Sequence, residues 1–176
     1  MHEEEKNVES EADDTTCKYC ATFRVRGVPQ GIERHQEYVE EEKDGTLQAR
    51  HKTTHLSFFH YSYPLLRPLR SWGSLQIAHP VDIGLMKIGA IIGRGSRKDF
   101  MDLYVILQKE ISLPRLLRLA SKKFPGRDLR FHACRAMVYF ADADREPTPK
   151  LLAPLDWPKI KDFFERETRK IVAAFR

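Results

Sequence analysis

The sequence predicts an α+β chain: a small, mostly antiparallel sheet followed by a helical bundle. Two observations carry this. Short alternating segments bounded by turn residues crowd the stretch before His79, whereas apolar stripes at i, i+3, i+4 spacing fill nearly everything after it.

Residues 1–20, MHEEEKNVESEADDTTCKYC, are acidic, poor in bulky apolar residues and without period, which predicts a disordered N-terminus. They hold no apolar stretch of the kind a secretory signal needs. No run of about 18 apolar residues occurs anywhere in the chain. The expectation is a cytoplasmic protein with no membrane partner.

Residues 21–79 form the strand-rich region. TFRVRGV (22–28) alternates, and EYVEEEKDGTLQAR (37–50) reads as two strands around a Lys-Asp-Gly turn. HLSFFHYSY (55–63) is an aromatic-rich strand ended by Pro64. After the loop PLLRPLRSWG, SLQIA (74–78) adds a short strand, for a sheet of three to four strands.

Residues 80–176 form the helical region. Pro80 suits a first helical turn, and Asp82 sits favourably near the positive helix end. Ile83, Met86, Ala90 and Ile91 make a helical stripe stopped by Gly93 and Gly95. Ser96 then caps a second helix with Asp99 at the reciprocal capping position, and Phe100, Leu103, Tyr104 and Leu107 form its apolar face. Ser112 caps a third helix, LPRLLRLASKKF, closed by Pro125-Gly126. LRFHACRAMVYFADAD (129–144) reads as a single fourth helix. A fifth is capped by Asp156 with Pro158 in its first turn, and Trp157, Ile160, Phe163, Phe164, Ile171 and Phe175 form its buried stripe.

With 176 residues, 41% apolar and 31% charged, the chain suits one globular domain with a real core. Its three cysteines are too few for a disulfide framework. Cys17 and Cys20 form a lone C-x-x-C, and His35, His51, His55 and His60 do not complete it at finger-like spacing, so free thiols are expected. The charge is divided unevenly: residues 1–44 carry −7 and residues 45–176 carry +12. A basic body of that size attracts phosphates, whether of nucleotides or of nucleic acid.

One stretch concentrates this charge at a joint between two helices: KIGAIIGRGSRKDFMDLY (87–104). Lys87 and Arg94 lie two helical turns apart, on one face. The Gly-Arg-Gly-Ser loop leaves backbone N–H groups open at the positive start of the next helix, where an anion would be welcome. Lys87 offers a point charge and Arg94 a planar fork for phosphate, with Lys98 a third candidate. Asp99 and Asp102, three residues apart, share a face and either hold Mg²⁺, orient the cations, or do both. The same residues serve equally as a capped joint with an ordinary Lys98–Asp102 pair, and the Gly-x-Gly is no P-loop.

The stretch DIGLMKIGAIIGRGSRKDFMDLYVIL (82–107) resembles the signature of the AbiEii-type nucleotidyltransferases, toxins of type IV toxin–antitoxin systems. There an Asp-x-x-x-Met-Lys helix leads into Ala-Ile-x-x-Arg-Gly and then Lys/Arg-Asp-Phe-x-Asp-Leu. GTLQARHKTTHLSFFHYSYPLL upstream, and MVYFADADREPTPKLL with WPKIKDFF downstream, are similar to further family segments, so the resemblance spans about residues 38–176. It implies a prokaryotic enzyme with a polymerase-β-like core. Mg²⁺ and a nucleoside triphosphate are the implied cofactor and donor, an RNA such as tRNA the acceptor, and a cognate antitoxin the partner. It also implies that Lys87 binds phosphate and that Asp99 or Asp102 is an essential acid, making Lys87, Asp99 and Asp102 the implied catalytic set.

The family's first motif, a Gly-Ser turn followed by an Asp-x-Asp pair that holds the metals, has no counterpart. SEADD (10–14) offers a serine and two acids but neither the turn nor the spacing. At the fold's third acidic position the strand 55–61 carries Ser57, as in one branch of the family. Metal-assisted phosphoryl transfer depends on those carboxylates. The expectation is therefore the C-terminal portion of a nucleotidyltransferase with a truncated or replaced N-terminus, inactive in transfer on its own, its metal ligands unknown.

Overall fold

A computed structural model describes residues 39–43, 46–51, 54–151 and 153–174. The expected disordered segment 1–20, the strand at 22–28, Cys17, Cys20, the Asp44-Gly45 turn and Phe175 lie outside these residues. The architecture is α+β, strands first and helices after, and the chain divides into two compact units, Met1–Ser62 and Tyr63–Arg176.

The first unit holds an antiparallel sheet of β1 (Val39–Lys43), β2 (Thr46–His51) and β3 (Thr54–Phe59), in the order β1-β2-β3. The register places Leu47 opposite Phe58, and on the other face Gln48 opposite Ser57, whose hydroxyl donates to the Gln48 amide oxygen. β3 ends at Phe59 rather than continuing to Tyr63. Tyr63 belongs to the second unit, its ring edge-on to Phe124 with centroids 4.8 Å apart.

The second unit opens with a hairpin of β4 (Arg70–Trp72) and β5 (Leu75–Ile77), a separate two-stranded sheet instead of a fourth strand on the first. Its β4 lies inside the stretch that reads as a loop. Gly73, at φ +59°, supplies the left-handed conformation that folds Trp72 back onto Leu75, so each three-residue strand finds its partner locally.

Among the described residues six helices follow: α1 (Pro80–Gly93), α2 (Arg97–Lys109), α3 (Leu113–Lys123), α4 (Leu129–Ala136), α5 (Ala141–Arg145) and α6 (Trp157–Ala173). His79 caps α1, its Nδ1 accepting from the Val81 N–H, and Asp156 caps α6 through the Lys159 N–H. The core is contiguous, with Leu85 and Ile88 of α1, Phe100 and Leu103 of α2, Leu116 and Ala120 of α3, and Phe164 of α6 fully buried. Gly84 lets the elements close in, since a Cβ there would meet Leu116 at 3.2 Å and Ile106 at 3.3 Å. Among the described residues no helix is long and apolar enough to cross a membrane.

The single helix expected over 129–144 is two helices, interrupted at residues 137–140. Val138, Tyr139 and Phe140 are β-branched or aromatic and lose side-chain freedom in a helix. Phe140 gains ring contacts to Phe100 and Trp157 at 5.2 and 5.9 Å, and Arg97 bonds the carbonyls of Ala143 and Asp144 at the end of α5. Tertiary bonds outweigh the local pattern here.

Candidate functional site

α1 runs out at Gly93, where Arg94 N–H and Gly95 N–H both return to the Ala90 carbonyl. Gly95, at φ +59°, reverses the chain, and α2 begins two residues later. This tight joint places Lys87 of α1 beside the first turn of α2.

Asp99 is the centre. Its side chain is 0% exposed, and four donors fill its two oxygens. Lys87 Nζ and an Arg94 terminal nitrogen donate to Oδ1 at 2.9 and 3.2 Å. Arg94 Nε and the Ser96 hydroxyl donate to Oδ2, each at 2.8 Å. Arg94 thus grips the carboxylate with its fork. Lys87 Nζ also lies 2.6 Å from Asp102 Oδ2, so the lysine is shared between a buried acid and a half-exposed one.

The electrostatics follow from these bonds. Burial alone pushes the Asp99 carboxyl up, but the bonds from Arg94, Lys87 and Ser96 outweigh it and hold the group at about 2. Burial lowers Lys87, and its bonds to Asp102 and Asp99 more than compensate, leaving it raised. Arg94 is raised as well, chiefly by its bond to Asp99. Two cations and two anions therefore balance at the joint. Lys87 keeps 22% of its side chain at the surface and Arg94 keeps 61%, so both remain reachable from solvent.

The structure thus brings Lys87, Arg94, Asp99 and Asp102 together and leaves Lys98 outside, exposed and unpaired with Asp102, which engages Lys87 instead. Two expected details change. Ser96 occupies the N-cap of α2 without a side-chain cap bond, because its hydroxyl donates to Asp99. The helix start is not left open for an anion either: Glu146 Oε2 accepts from the Arg97 N–H at 2.8 Å. A carboxylate from 49 residues away already occupies that position.

Two groups escaped the sequence. The Arg97 guanidinium binds the carbonyls of Ala143 and Asp144 and the Thr148 hydroxyl, and sits 5.3 Å above the Trp157 ring. Asp82, beyond its place near a helix end, is fully buried. It accepts from the Leu66 and Arg67 N–H groups and from Lys123 Nζ, each at 2.9 Å. A signal for the second existed: Lys123 falls on the apolar stripe of α3 with Leu113, Leu116, Leu117 and Ala120.

A divalent metal does not fit this cluster. Both Asp99 oxygens are saturated by donors, Asp102 is a single carboxylate already paired, and among the described residues no three acids, histidines or cysteines converge on a point. A shallow depression of about 490 Å³, lined by Val138, Glu165, Thr168, Arg169, Val172 and Ala173, holds none of these residues.

The chain is 38% identical over 117 residues to an uncharacterized protein, aq_aa25, of Aquifex aeolicus (strain VF5), an alignment covering 65% of this chain and 55% of that relative. The chain thus spans about half the length of the curated relative it matches. No family model matches it, and no solved structure does.

Proposed function

We propose that this chain carries the triphosphate-binding side of a nucleotidyltransferase of the AbiEii toxin type, and that it binds a nucleoside triphosphate without transferring nucleotide on its own. The observation that carries the proposal is the posture of Lys87. Asp99 fixes the ammonium from beneath, and part of the side chain still faces solvent. Arg94, fixed by the same carboxylate, adds a second cation beside it. Two pre-oriented cations at one surface are what a polyphosphate recognises.

Transfer needs more than this. Mg²⁺, when bound, would supply charge neutralisation at the phosphate, and holding it would require carboxylates with free oxygens. Asp99 has none, so its role is to position Lys87 and Arg94. The complete system we envisage is cytoplasmic and prokaryotic, with an RNA such as tRNA as acceptor and a cognate antitoxin as partner. The acids for Mg²⁺ would come from a Gly-Ser/Asp-x-Asp segment that the sequence lacks. The same saturation of Asp99 favours a second reading, a binding module without chemistry.

Calorimetry with ATP, CTP, GTP and UTP tests the binding. At least one should bind, and Lys87→Ala should weaken it about 10- to 100-fold, the value of a charged hydrogen bond. Incubation with Mg²⁺, labelled triphosphates and total tRNA should yield no labelled product. A product that Lys87→Ala abolishes would refute the inactivity. Failure of every triphosphate to bind would refute the site.

A further inference from the structure

Between Glu110 and Asp142 the chain holds seven lysines and arginines against one acid, Asp128. Of the seven, Lys123 is buried against Asp82, and Arg130 is paired with Asp128 at 3.1 Å. The other five, Arg115, Arg118, Lys122, Arg127 and Arg135, are exposed, and among the described residues none lies within ion-pair distance of a carboxylate. Arg115, Arg118 and Lys122 recur at i, i+3 and i+7, one outer stripe of α3 about 10 Å long. Leu113, Leu116, Leu117 and Ala120 take the inner stripe.

The same segment exposes aromatic rings. Phe131 is 71% exposed, Tyr139 is 58% exposed, and the His132 ring stands edge-on to Phe131 at 6.1 Å. Core demands do not explain a phenylalanine left in water, one helical turn from the exposed Arg135. The buried residues of α4 are Ala133 and Cys134, and Phe131 falls off that face.

We propose that the α3–α4 face binds an unpaired nucleic-acid strand, with Arg115, Arg118, Lys122, Arg127 and Arg135 engaging phosphates and Phe131 stacking on a base. Unbalanced cations give sequence-independent affinity for a polyanion, and an exposed ring adds stacking that only an unpaired base can accept. A duplex hides its base faces and would use the cations alone. An anionic lipid surface would also use the cations, but α4 has eight residues with two exposed aromatic rings nearby, not the long apolar face of a membrane-lying helix. The face is made of residues distinct from Lys87, Arg94 and Asp99, so it stands or falls independently of triphosphate binding.

Fluorescence anisotropy on the full chain tests it, using a labelled 12-nucleotide oligouridylate, a 12-base-pair RNA duplex, and vesicles containing phosphatidylserine. Five phosphate contacts predict about a 100-fold loss of oligouridylate affinity between 50 and 200 mM salt. Arg118→Glu with Arg135→Glu should weaken binding and flatten that salt dependence. Phe131→Ala should cost about 10-fold on the single strand and nothing on the duplex. Lys87→Ala should leave oligouridylate binding unchanged. Four results would each overturn the proposal: no oligouridylate binding, tighter binding to the vesicles than to the strand, Phe131→Ala weakening strand and duplex equally, or Lys87→Ala abolishing strand binding. Wild-type thermal melting of the Phe131 and charge variants confirms that the fold is kept.

Discussion

Lys87 of α1 donates to Asp99 of α2 across 2.9 Å, and this one bond clamps the joint between the two helices while leaving part of the lysine at the surface. Asp99 is buried, so removing its partners would leave an uncompensated charge. Lys87 and Arg94 are its partners, so the cations that would meet phosphate are held in place by the fold's own electrostatics.

The first consequence is a pH dependence of stability. Asp99 is held at about 2 in the folded chain against about 3.9 for a free aspartate. A carboxyl depressed on folding contributes stability above its unfolded value and loses it as pH falls through the folded one. The wild-type chain should therefore lose about 2 kcal/mol between pH 5 and pH 2 from this group. Asp99→Asn should be less stable at pH 7, and its urea midpoint should fall less steeply over the same window. Parallel acid limbs in the two proteins would contradict the assignment.

The buried pair of Asp82 and Lys123 predicts a non-additive pair of substitutions. Lys123→Met leaves Asp82 buried without its ammonium, and Asp82→Asn removes the carboxylate to which the buried Lys123 Nζ donates. Each should cost about 3–5 kcal/mol, whereas the double variant should cost less than the sum because neither strands a charge. A denaturant double-mutant cycle measures the coupling of the Asp82–Lys123 pair directly, and additive costs would show that the pair is not coupled. The loop at residues 66–67 should gain hydrogen exchange in Asp82→Asn.

Arg97 supplies a third prediction. Its fork reaches two carbonyls and a hydroxyl around the end of α5 while its face covers Trp157. Arg97→Lys keeps the charge but cannot span those acceptors, so it should cost nearly as much as Arg97→Ala, about 3 kcal/mol. Emission from Trp157, resolved in a Trp72→Phe background, should shift to the red in both. Full rescue by lysine would mean that charge alone matters at this position.

These residues also show what could be read from sequence. α1, α2, α3 and α6 were legible because each carries an apolar stripe and turn or capping residues at its ends, and Lys87, Arg94, Asp99 and Asp102 were legible as one group because helical spacing and a short loop bring them together. β5 was legible as the short strand SLQIA, but its partner β4 was not, since a three-residue strand inside a loop-like stretch carries no period. The break at 137–140 was not, since Phe140 and Arg97 meet partners far along the chain. Ser96 was ambiguous in principle: a hydroxyl can cap a helix or donate to an acid, and only a buried Asp99 with an oxygen to fill decides it. Glu146 at the α2 start depended on a fold-back of 49 residues that no local rule foresees.

Asp102 separates the two acids that spacing could not rank. It lies 2.6 Å from Lys87 Nζ and is 54% exposed, whereas Asp99 is closed off from solvent. An exposed carboxylate on the lysine competes with an incoming phosphate for the same ammonium. Asp102→Asn removes that competitor and leaves the Asp99 bond in place, so it should tighten binding of metal-free tripolyphosphate about 2- to 5-fold, the range of an exposed ion pair. Calorimetry with and without Mg²⁺ checks the sign. Weaker binding only when Mg²⁺ is present would instead make Asp102 a metal ligand, and weaker binding in both conditions would make it a positioning group like Asp99.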